Sequence, residues 1–358
     1  MVAMSDKAET EESPAPVRLA IVGLAHDHVR QFIPELLGQG DVQLVGIVES
    51  NKELVAEIAA GFSMDARLFF PTIDGLLSKA RVQAVAIFTS TLDHAQVVET
   101  CAPLGIHVMM EKPMAVSLDD ARRIAAAARK GNIQVVVNYE TTWYSSTQAA
   151  YNLVHRKKAI GGLRKIVVHD GHSGPARRCS RFFLDWLTDP VANGAGALMD
   201  FGCYGAVLAT WLMGGQRPLS VLAVTQQLQP DAYPKVDDEA TILLTYPQAQ
   251  AVIQASWNWP FDRKDMEIYG RSGAMRLPDR DSLYLRRGDA PERRARVPAL
   301  QAPHANPISY LAAVVRGQVR SSGLGSVDLN LIVNEILDAA KESARKGNRI
   351  HLGDVAAK

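Results

Sequence analysis

The segment Ile21–Arg30, IVGLAHDHVR, combines the beginning of a nucleotide-binding loop with two closely spaced histidines. An apolar run leads into Gly23, but the next two glycine positions of a G-x-G-x-x-G loop hold Ala25 and His28. Free backbone N–H groups and the helix dipole at such a loop favour a bound pyrophosphate. Ala25 adds one methyl group there, and His28 replaces the glycine that allows helix and strand to pack closely. The predicted dinucleotide loop comprises Gly23, Ala25, His26, Asp27 and His28.

An acidic residue after the second predicted strand bears on the choice of dinucleotide. Glu49 lies 26 positions after Gly23, where a carboxylate accepts hydrogen bonds from the hydroxyls of the adenosine ribose. Because a carboxylate repels a 2′-phosphate, Glu49 favours NAD, and the nearby Lys52 leaves NADP as the alternative. A solvated turn at Glu49 is the other interpretation.

The same two imidazoles allow a metal site as an alternative to the dinucleotide. His26 and His28 form a His-x-His pair, similar to the pair that ends the first strand of metal-dependent amidohydrolases. A metal ion needs at least one more ligand and carboxylates that orient the imidazoles. The other seven of the nine histidines form no second cluster along the sequence, so we expect no metal.

The composition of the 358-residue chain predicts a globular protein of two domains with a small-molecule partner. A net charge of +1 gives no long-range attraction to nucleic acid or to an anionic membrane. Three cysteines fit neither a disulfide framework nor a zinc cluster, which favours a reducing compartment. Residues 1–16 are acidic and lack a secretory signal, so we expect a disordered tail. We expect a cytoplasmic protein that binds neither nucleic acid nor membranes.

Between residues 17 and 140, short apolar runs alternate with segments of helical period. The apolar runs are VRLAIVG, VQLVGIVES, VQAVAIF, IHVMME and IQVVVNY. Near-continuous apolar character is typical of parallel strands that are covered on both faces. The alternation predicts an N-terminal Rossmann domain with a doubly wound parallel sheet over residues 17–140.

Residues 141–358 follow a different pattern, in which strands succeed one another with short turns. The predicted strands include LRKIVVHDGH, LSVLAVTQQL, EATILLTY, AQAVIQASWNW, MEIYG and AMRLP. One helix, GALMDFGCYGAVLATWLMGG, interrupts them, and an amphipathic helix closes the chain. We predict a substrate-binding and oligomerisation domain of α+β class, with an open and predominantly antiparallel sheet. The closing helix is a candidate to pack back on the first domain.

The motif Glu111-Lys112-Pro113 ends the fifth predicted strand, at the sheet edge where open α/β sheets bind ligands. TSTLDH follows the fourth strand, and NGAGALMDFGCYGAVLATWLMGG lies in the second domain. With these segments the chain resembles the Gfo/Idh/MocA family, named for glucose-fructose oxidoreductase and inositol dehydrogenase. The resemblance extends from Val17 to the end of the chain.

The resemblance implies a nicotinamide cofactor, NAD or alternatively NADP, at the carboxyl edge of the first sheet. It implies that Thr89 and His94 line the nicotinamide side, and that Lys112 contacts both cofactor and substrate. The implied cofactor-binding residues outside the loop are Glu49, Thr89, Thr91, His94, Glu111, Lys112, Pro113 and Asn138.

The family's Asp-x-Gly-x-His motif is present with tyrosine in the last position, as Asp200 to Tyr204. Oxidation of a secondary alcohol needs a proton acceptor within hydrogen-bond reach of the hydroxyl. Because the unperturbed pKa of tyrosine is about 10, a cation must lower it, and Lys112 is the candidate. We expect Tyr204 to be the general acid/base, Lys112 to polarise the oxygen, and Asp200 to orient the hydroxyls. A core position for Tyr204 is the alternative.

Other polar and aromatic residues are candidates for the substrate pocket. Aromatic faces stack on sugar rings and polar groups bind the hydroxyls, which nominates Trp143, His172 and Trp186 beside the three catalytic candidates. Core packing is the alternative for each tryptophan.

Three functional hypotheses follow from the resemblance and the residues. The first is an NAD(P)-dependent oxidoreductase acting on a secondary hydroxyl of a sugar, glycoside or cyclitol, assembled as a homodimer or homotetramer. The second is an NAD-dependent enzyme that cleaves glycosides by transient oxidation and elimination. The third is a non-catalytic sensor of nucleotide or sugar, suggested by the altered glycine loop.

Overall fold

The computed structural model describes residues 15–353, so only the last two residues of the predicted tail, 1–16, fall within it. The first sheet has six strands in the order β3-β2-β1-β4-β5-β6, and every neighbouring pair is parallel. Its strands are β1 Val17–Val22, β2 Val42–Val48, β3 Phe69–Phe70, β4 Ala84–Ile87, β5 His107–Glu111 and β6 Val135–Asn138.

Helices cover both faces of this sheet. They are α1 Val29–Leu37, α2 Lys52–Gly61, α3 Ile73–Leu77, α4 His94–Cys101 and α5 Leu118–Lys130. Side chains cap several of their first turns: Asn51 accepts backbone N–H groups of α2, and Ser117 accepts one of α5. The predicted doubly wound Rossmann domain is confirmed.

The second sheet has nine strands in the order β14-β13-β12-β11-β7-β10-β9-β8-β15. Among the described strand pairs of this second sheet, only β7–β10 is parallel, so the sheet is mixed and mostly antiparallel, as predicted. Its strands are β7 Leu163–Gly171, β8 Ser220–Gln226, β9 Glu239–Thr245, β10 Gln250–Ser256, β11 Arg263–Gly270, β12 Gly273–Leu277, β13 Tyr284–Arg287, β14 Arg293–Arg294 and β15 Ile350–His351.

The helices of the second half are α6 Ser145–His155, α7 Arg181–Leu187, α8 Ala197–Asp200, α9 Gly202–Leu212, α10 Pro307–Val315 and α11 Val327–Lys346. Single turns of 3-10 helix occur at Ala66–Leu68, Thr91–Asp93, Ala102–Leu104, Glu140–Trp143, Pro175–Arg177 and Gly323–Gly325. The segment expected to form one helix after residue 195 is two helices, because Phe201, with φ −105°, ends α8 and precedes α9.

The last two helices connect the second half of the chain to the first domain. The apolar side chains of α10 pack with those of α1 on one face of the parallel sheet. From α11, Asn334 donates to the Ala115 carbonyl oxygen at 2.7 Å, and Asp338 accepts the Leu118 N–H at 2.7 Å. These bonds hold the chain that follows β5. No helix in residues 15–353 is long and apolar enough to cross a membrane.

The contact between α9 and β10 is tight enough to depend on one glycine. A Cβ on Gly205 would lie 2.3 Å from the Ile253 Cγ2. Gly205→Ala should lower the free energy of unfolding by about 1–3 kcal/mol because overpacking outweighs the gain in helix propensity. The matched control is Gly61→Ala in α2, where a Cβ meets nothing within 4 Å. Urea unfolding of both variants tests the packing, and equal or greater stability of Gly205→Ala would contradict it.

Candidate active site

An ion pair between Lys112 and Asp200 joins the two domains at the centre of the site. Lys112 follows β5, and Asp200 ends α8. The Lys112 Nζ lies 2.5 Å from the Asp200 Oδ1 and 3.1 Å from the Asp200 carbonyl oxygen, and each residue is 5% exposed. Trp257, which follows β10, donates its indole N–H to the Asp200 Oδ2 at 2.9 Å. Both oxygens of the buried carboxylate therefore have a donor.

The pKa values of this pair shift in the directions that keep both groups charged. Burial alone would raise the pKa of Asp200, but the Lys112 ammonium lowers it below the ordinary value. Burial alone would lower the pKa of Lys112, but the Asp200 carboxylate raises it. Lys112 thus keeps a positive charge at the carboxyl edge of the first sheet, where it can polarise a substrate oxygen.

Tyr204 lies on α9 beside this pair and is buried. The Nζ of Lys112 is 5.2 Å and the Nζ of Lys264 is 4.6 Å from the centre of its ring. The expectation that Lys112 lowers the pKa of Tyr204 is wrong for the free protein. Burial raises this pKa well above its ordinary value, and the carboxylates of Glu140 and Asp170 raise it further. The Tyr204 phenol is therefore protonated at neutral pH.

Two charged residues of the second sheet, Asp170 and Lys264, were missed by the sequence analysis. They stand opposite each other on β7 and β11, and Lys264 forms an ion pair with Glu140, just after β6. Asp170 follows Ile166 and Val168 on the buried face of β7. A carboxylate among the alternating apolar residues of a strand is the sequence feature that could have identified it. Trp257 was also missed.

The loop after β1 keeps two features of a dinucleotide site. Gly23 has a φ of +81°, and a Cβ there would lie 2.5 Å from the Thr89 Cγ2, so the loop requires glycine. The Glu49 carboxylate accepts the backbone N–H of Leu24 at 2.9 Å and that of Asn51 at 2.8 Å. These positions, at the crossover between β1 and β4, fit a dinucleotide whose adenosine ribose lies near Glu49.

The remainder of the loop is hydrogen-bonded within the protein. The His26 N–H donates to a carbonyl oxygen just after β4 at 3.0 Å. The Asp27 carboxylate accepts the N–H and the hydroxyl of Ser180, both at 2.6 Å. The Ala25 carbonyl oxygen accepts the Trp186 indole N–H at 3.4 Å. The segment around α7 therefore covers the loop, and Trp186 packs there, between the domains.

His26, His28 and Glu111 come together, so the structure brings a third candidate ligand to the two imidazoles. The His28 Nδ1 lies 3.1 Å and the His26 Nε2 lies 3.9 Å from the Glu111 Oε2. The His26 Nδ1, however, accepts the His28 N–H at 3.2 Å, which assigns the ring proton to Nε2. To bind a metal ion through Nε2, the nitrogen that faces Glu111, His26 would need the opposite tautomer, with its proton on Nδ1. The cluster does not fit a metal site in this tautomer, and the expected absence of metal stays a prediction.

Three further residues of the predicted cofactor site are buried, and two of them hold loops of the protein together. Thr91 donates its hydroxyl to Asn193 at 3.3 Å, which ties the loop after β4 to the segment before α8. The His94 Nδ1 lies 3.2 Å from the Met114 carbonyl oxygen. Pro113 is buried beside Lys112. Thr91 and His94 are each 1% exposed, so neither lines an open cleft here.

A cavity of about 340 Å³ opens at the carboxyl ends of β5 and β6. Residues of both domains line it, among them His28, Glu111, Asn138, Glu140, Trp143 and Arg280. Asn138 donates to the Glu111 Oε1 at 3.0 Å and accepts the Trp143 indole N–H at 2.9 Å. Trp143 and Asn138 therefore belong to the wall of an opening that reaches Glu111, the neighbour of Lys112.

His172 is the remaining predicted pocket residue. Its ring packs edge-on against Phe201 at 4.9 Å between centroids, and its Nδ1 accepts the Gly174 N–H at 3.0 Å. Burial lowers the pKa of His172, although the nearby Asp200 carboxylate opposes this shift. His172 therefore lies close to Asp200 and is neutral near pH 7.

Comparison with known protein families assigns both halves of the chain. Residues 17–139 match the model of an oxidoreductase family with an NAD-binding Rossmann fold, and residues 147–276 match the GFO/IDH/MocA C-terminal domain. The chain belongs to the Gfo/Idh/MocA family. It is therefore an oxidoreductase with an NAD-binding Rossmann domain, and the resemblance deduced from Glu111-Lys112-Pro113 is confirmed.

Relatives and solved structures agree with this assignment. The chain is 25% identical over 278 residues to D-xylose 1-dehydrogenase [NADP(+)] of Haloarcula marismortui, covering 76% of each chain. The fold is similar to that of aldose-aldose oxidoreductase from Caulobacter crescentus, with a TM-score of 0.80 and 22% identity. The match covers 94% of this chain and 100% of that chain. It is also similar to that of an inositol dehydrogenase homolog complexed with NAD+ from Azotobacter vinelandii, with a TM-score of 0.80 and 18% identity. This match covers 94% of this chain and 97% of that chain.

Asp200→Asn should lower the free energy of unfolding at neutral pH by about 3–5 kcal/mol, because the Lys112 ammonium loses its counter-charge in a buried site. The pKa of Asp200 is lowered in the folded state. Its stabilisation is therefore present above the unfolded value near ~4 and is lost as the pH falls through the folded value.

Urea unfolding at several pH values measures this effect. The control is Asp119→Asn, which breaks an exposed ion pair with Arg122 and should cost at most ~1 kcal/mol. The gap between wild type and Asp200→Asn should narrow in acid. A loss no larger than that of the control, or a gap independent of pH, would show that the pair does not hold the site.

Proposed function

We propose that this chain is an NAD(P)-dependent oxidoreductase that transfers hydride between a secondary hydroxyl of a sugar, glycoside or cyclitol and the nicotinamide. The observation that carries the proposal is the convergence of Lys112, from the first domain, with Asp200 and Tyr204, from the second. An ammonium, a carboxylate and a phenol are the groups that polarise, orient and protonate an alcohol oxygen. The named relatives include D-xylose 1-dehydrogenase and inositol 2-dehydrogenase, which supports a polyhydroxylated substrate.

In this proposal each residue has a separate role. Lys112 donates a hydrogen bond to the substrate oxygen and stabilises negative charge that develops on it. Asp200 keeps Lys112 charged and in place, and binds a neighbouring hydroxyl. Tyr204 gives its proton to the substrate oxygen during reduction and takes a proton during oxidation. Because its pKa is raised, the free protein is poised to act as an acid.

A bound dinucleotide supplies the acceptor or donor of the hydride. The residues that would hold it are those of the loop after β1, with Glu49 at the ribose, Thr89 against the loop, and Glu111 and Asn138 toward the nicotinamide. Lys112, Asp200 and Tyr204 are buried, so a substrate must displace neighbouring side chains to reach them. The cavity beside Glu111 is the entrance that we propose.

The experiment is a survey of sugars and cyclitols, including D-xylose and myo-inositol, with NAD+ and NADP+ as acceptors. Wild type should reduce a dinucleotide with at least one of them. Tyr204→Phe should lower turnover by ~10²–10⁴ because the proton donor is removed, with little change in NAD affinity measured by calorimetry.

The matched control is Tyr284→Phe, a tyrosine of β13 outside the site. Turnover of Tyr204→Phe within a few-fold of wild type would remove Tyr204 from the mechanism. Release of an aglycone without net NADH would favour the glycoside-cleaving alternative. Absence of both turnover and nucleotide binding would contradict the proposed function and favour the non-catalytic sensor alternative.

Replacing Glu49 tests the preference between the two dinucleotides. Glu49→Ser should raise the ratio of NADP to NAD use because the repulsion of a 2′-phosphate is removed. Affinity for both should fall, since Glu49 also accepts the Leu24 N–H of the loop. Steady-state kinetics with each dinucleotide gives the ratio, and Glu99→Ser, which breaks an exposed ion pair on α4, is the control. An unchanged ratio would mean that the ribose is held elsewhere.

The homodimer or homotetramer and the cytoplasmic location expected from the sequence stay predictions. So does the division of the chain at residue 140.

A further inference from the structure

The charges that meet between the two sheets, beside α9, are unequal in number. Lys112 is paired with Asp200, and Lys264 is paired with Glu140. Asp170 is a third carboxylate in the same group, and it forms no ion pair within 4.0 Å among residues 15–353. It is 1% exposed, and its Oδ1 has no hydrogen-bond partner in the described chain. Two ammonium groups are thus shared among three carboxylates.

An ionised carboxylate that is buried without a direct partner is costly, and such a group takes up a proton instead. Burial raises the pKa of Asp170 well above its ordinary value, although the ammonium groups of Lys264 and Lys112 oppose this shift. Both ammonium groups already contact another carboxylate directly. Asp170 is therefore the carboxylate of this group that is most easily protonated.

Lys264 is a neighbour of both Asp170 and Tyr204, and a small cavity adjoins Asp170 and Lys264. Lys264 is the cross-strand neighbour of Asp170, and its Nζ lies 4.6 Å from the centre of the Tyr204 ring. A cavity of about 20 Å³ is lined by Asp170, Lys264, Thr141 and Tyr144. The Thr141 Oγ1 is also without a partner in the described chain. The cavity is large enough for one water molecule, and the Asp170 carboxyl group, the Lys264 ammonium group and the Thr141 hydroxyl are polar partners for it.

We propose that Asp170 is the proton reserve of Tyr204, a positioning residue that acts through the phenol. This inference rests on the proposed function. In oxidation, the substrate hydroxyl proton passes to the Tyr204 oxygen and the Tyr204 proton passes to ionised Asp170, while a bound dinucleotide would accept the hydride from the substrate carbon. Reduction runs the same transfers in reverse, so that protonated Asp170 restores the phenol.

The proton state of Asp170 depends on charged and titratable groups from every element packed around it. These are His169 on β7, Lys264 and Asp265 on β11, Asp279 after β12, Glu140 and Tyr144 after β6, Lys112 after β5, Asp200 on α8, and Cys203 and Tyr204 on α9. Because ionised Asp170 accepts the proton in oxidation, the oxidation rate should rise with pH as Asp170 ionises. The reduction rate should fall over the same range.

The first test is infrared spectroscopy of the whole protein, with aspartate labelled by a heavy carbon isotope in the side-chain carboxyl group. At neutral pH, wild type should show the carbonyl stretch of a buried protonated carboxyl group, which is lost in alkali. Asp170→Asn should lack this band. A wild type without the band has an ionised Asp170, and that result overturns the proposal even if the variant does not fold.

The second test compares pH profiles in both directions with a sugar that wild type oxidises. Asp170→Asn should lower both rates by about ten- to hundredfold and flatten the profile where wild type titrates. The control is Glu267→Gln. Glu267 lies on β11 but on the strand face opposite to Lys264, so this variant should keep the pH profile of wild type. An unchanged profile in Asp170→Asn overturns the relay. If wild type oxidises no sugar, the proposed function fails. The infrared band then shows by itself whether Asp170 is protonated.

Discussion

The ion pair between Lys112 and Asp200 is the constraint on which the rest of the site depends. Its two members come from different domains and are both buried, so neither could remain charged without the other. The fold fixes each end of the pair. The Asp237 carboxylate accepts the N–H groups of Gly196 and Leu198 at the start of α8, and Trp257 holds the second oxygen of Asp200. A movement of one domain relative to the other must therefore either break this ion pair or keep its two members together.

The covering of the cofactor loop follows from the same arrangement. The segment around α7 leaves the second sheet, crosses to the first domain, and bonds Ser180 to Asp27 before it returns to α8. Phe183 and Trp186 then enclose the His26 ring, at 4.5 Å and 5.7 Å between ring centroids. His26 lacks a partner at Nε2 within the described residues because aromatic carbon surrounds most of it. The loop thus departs from its usual glycines where the second domain packs upon it.

The sequence allowed the first domain, the mixed second sheet and the Lys112, Asp200 and Tyr204 positions to be predicted, since each depends on local pattern or on a contiguous motif. The contacts across the domains could not be predicted this way. Asp170 is far along the chain from Trp257 and Lys264, and strand register brings these residues together beside α9. The pKa of Tyr204 was predicted in the wrong direction because its shift depends on burial and on carboxylates that lie on other elements. Glu111 as a neighbour of the two loop histidines was missed for the same reason.

The central claim is that hydride passes directly between a hydroxyl-bearing carbon and a nicotinamide at the Lys112 ammonium. Isotope transfer tests it most directly. D-Xylose and myo-inositol with deuterium on every carbinol carbon are incubated with the enzyme and NAD+, and the reduced dinucleotide is examined by mass spectrometry. The account predicts one deuterium on the nicotinamide per turnover. Oxidised sugar accompanied by deuterium in water, with none on the nicotinamide, would contradict it.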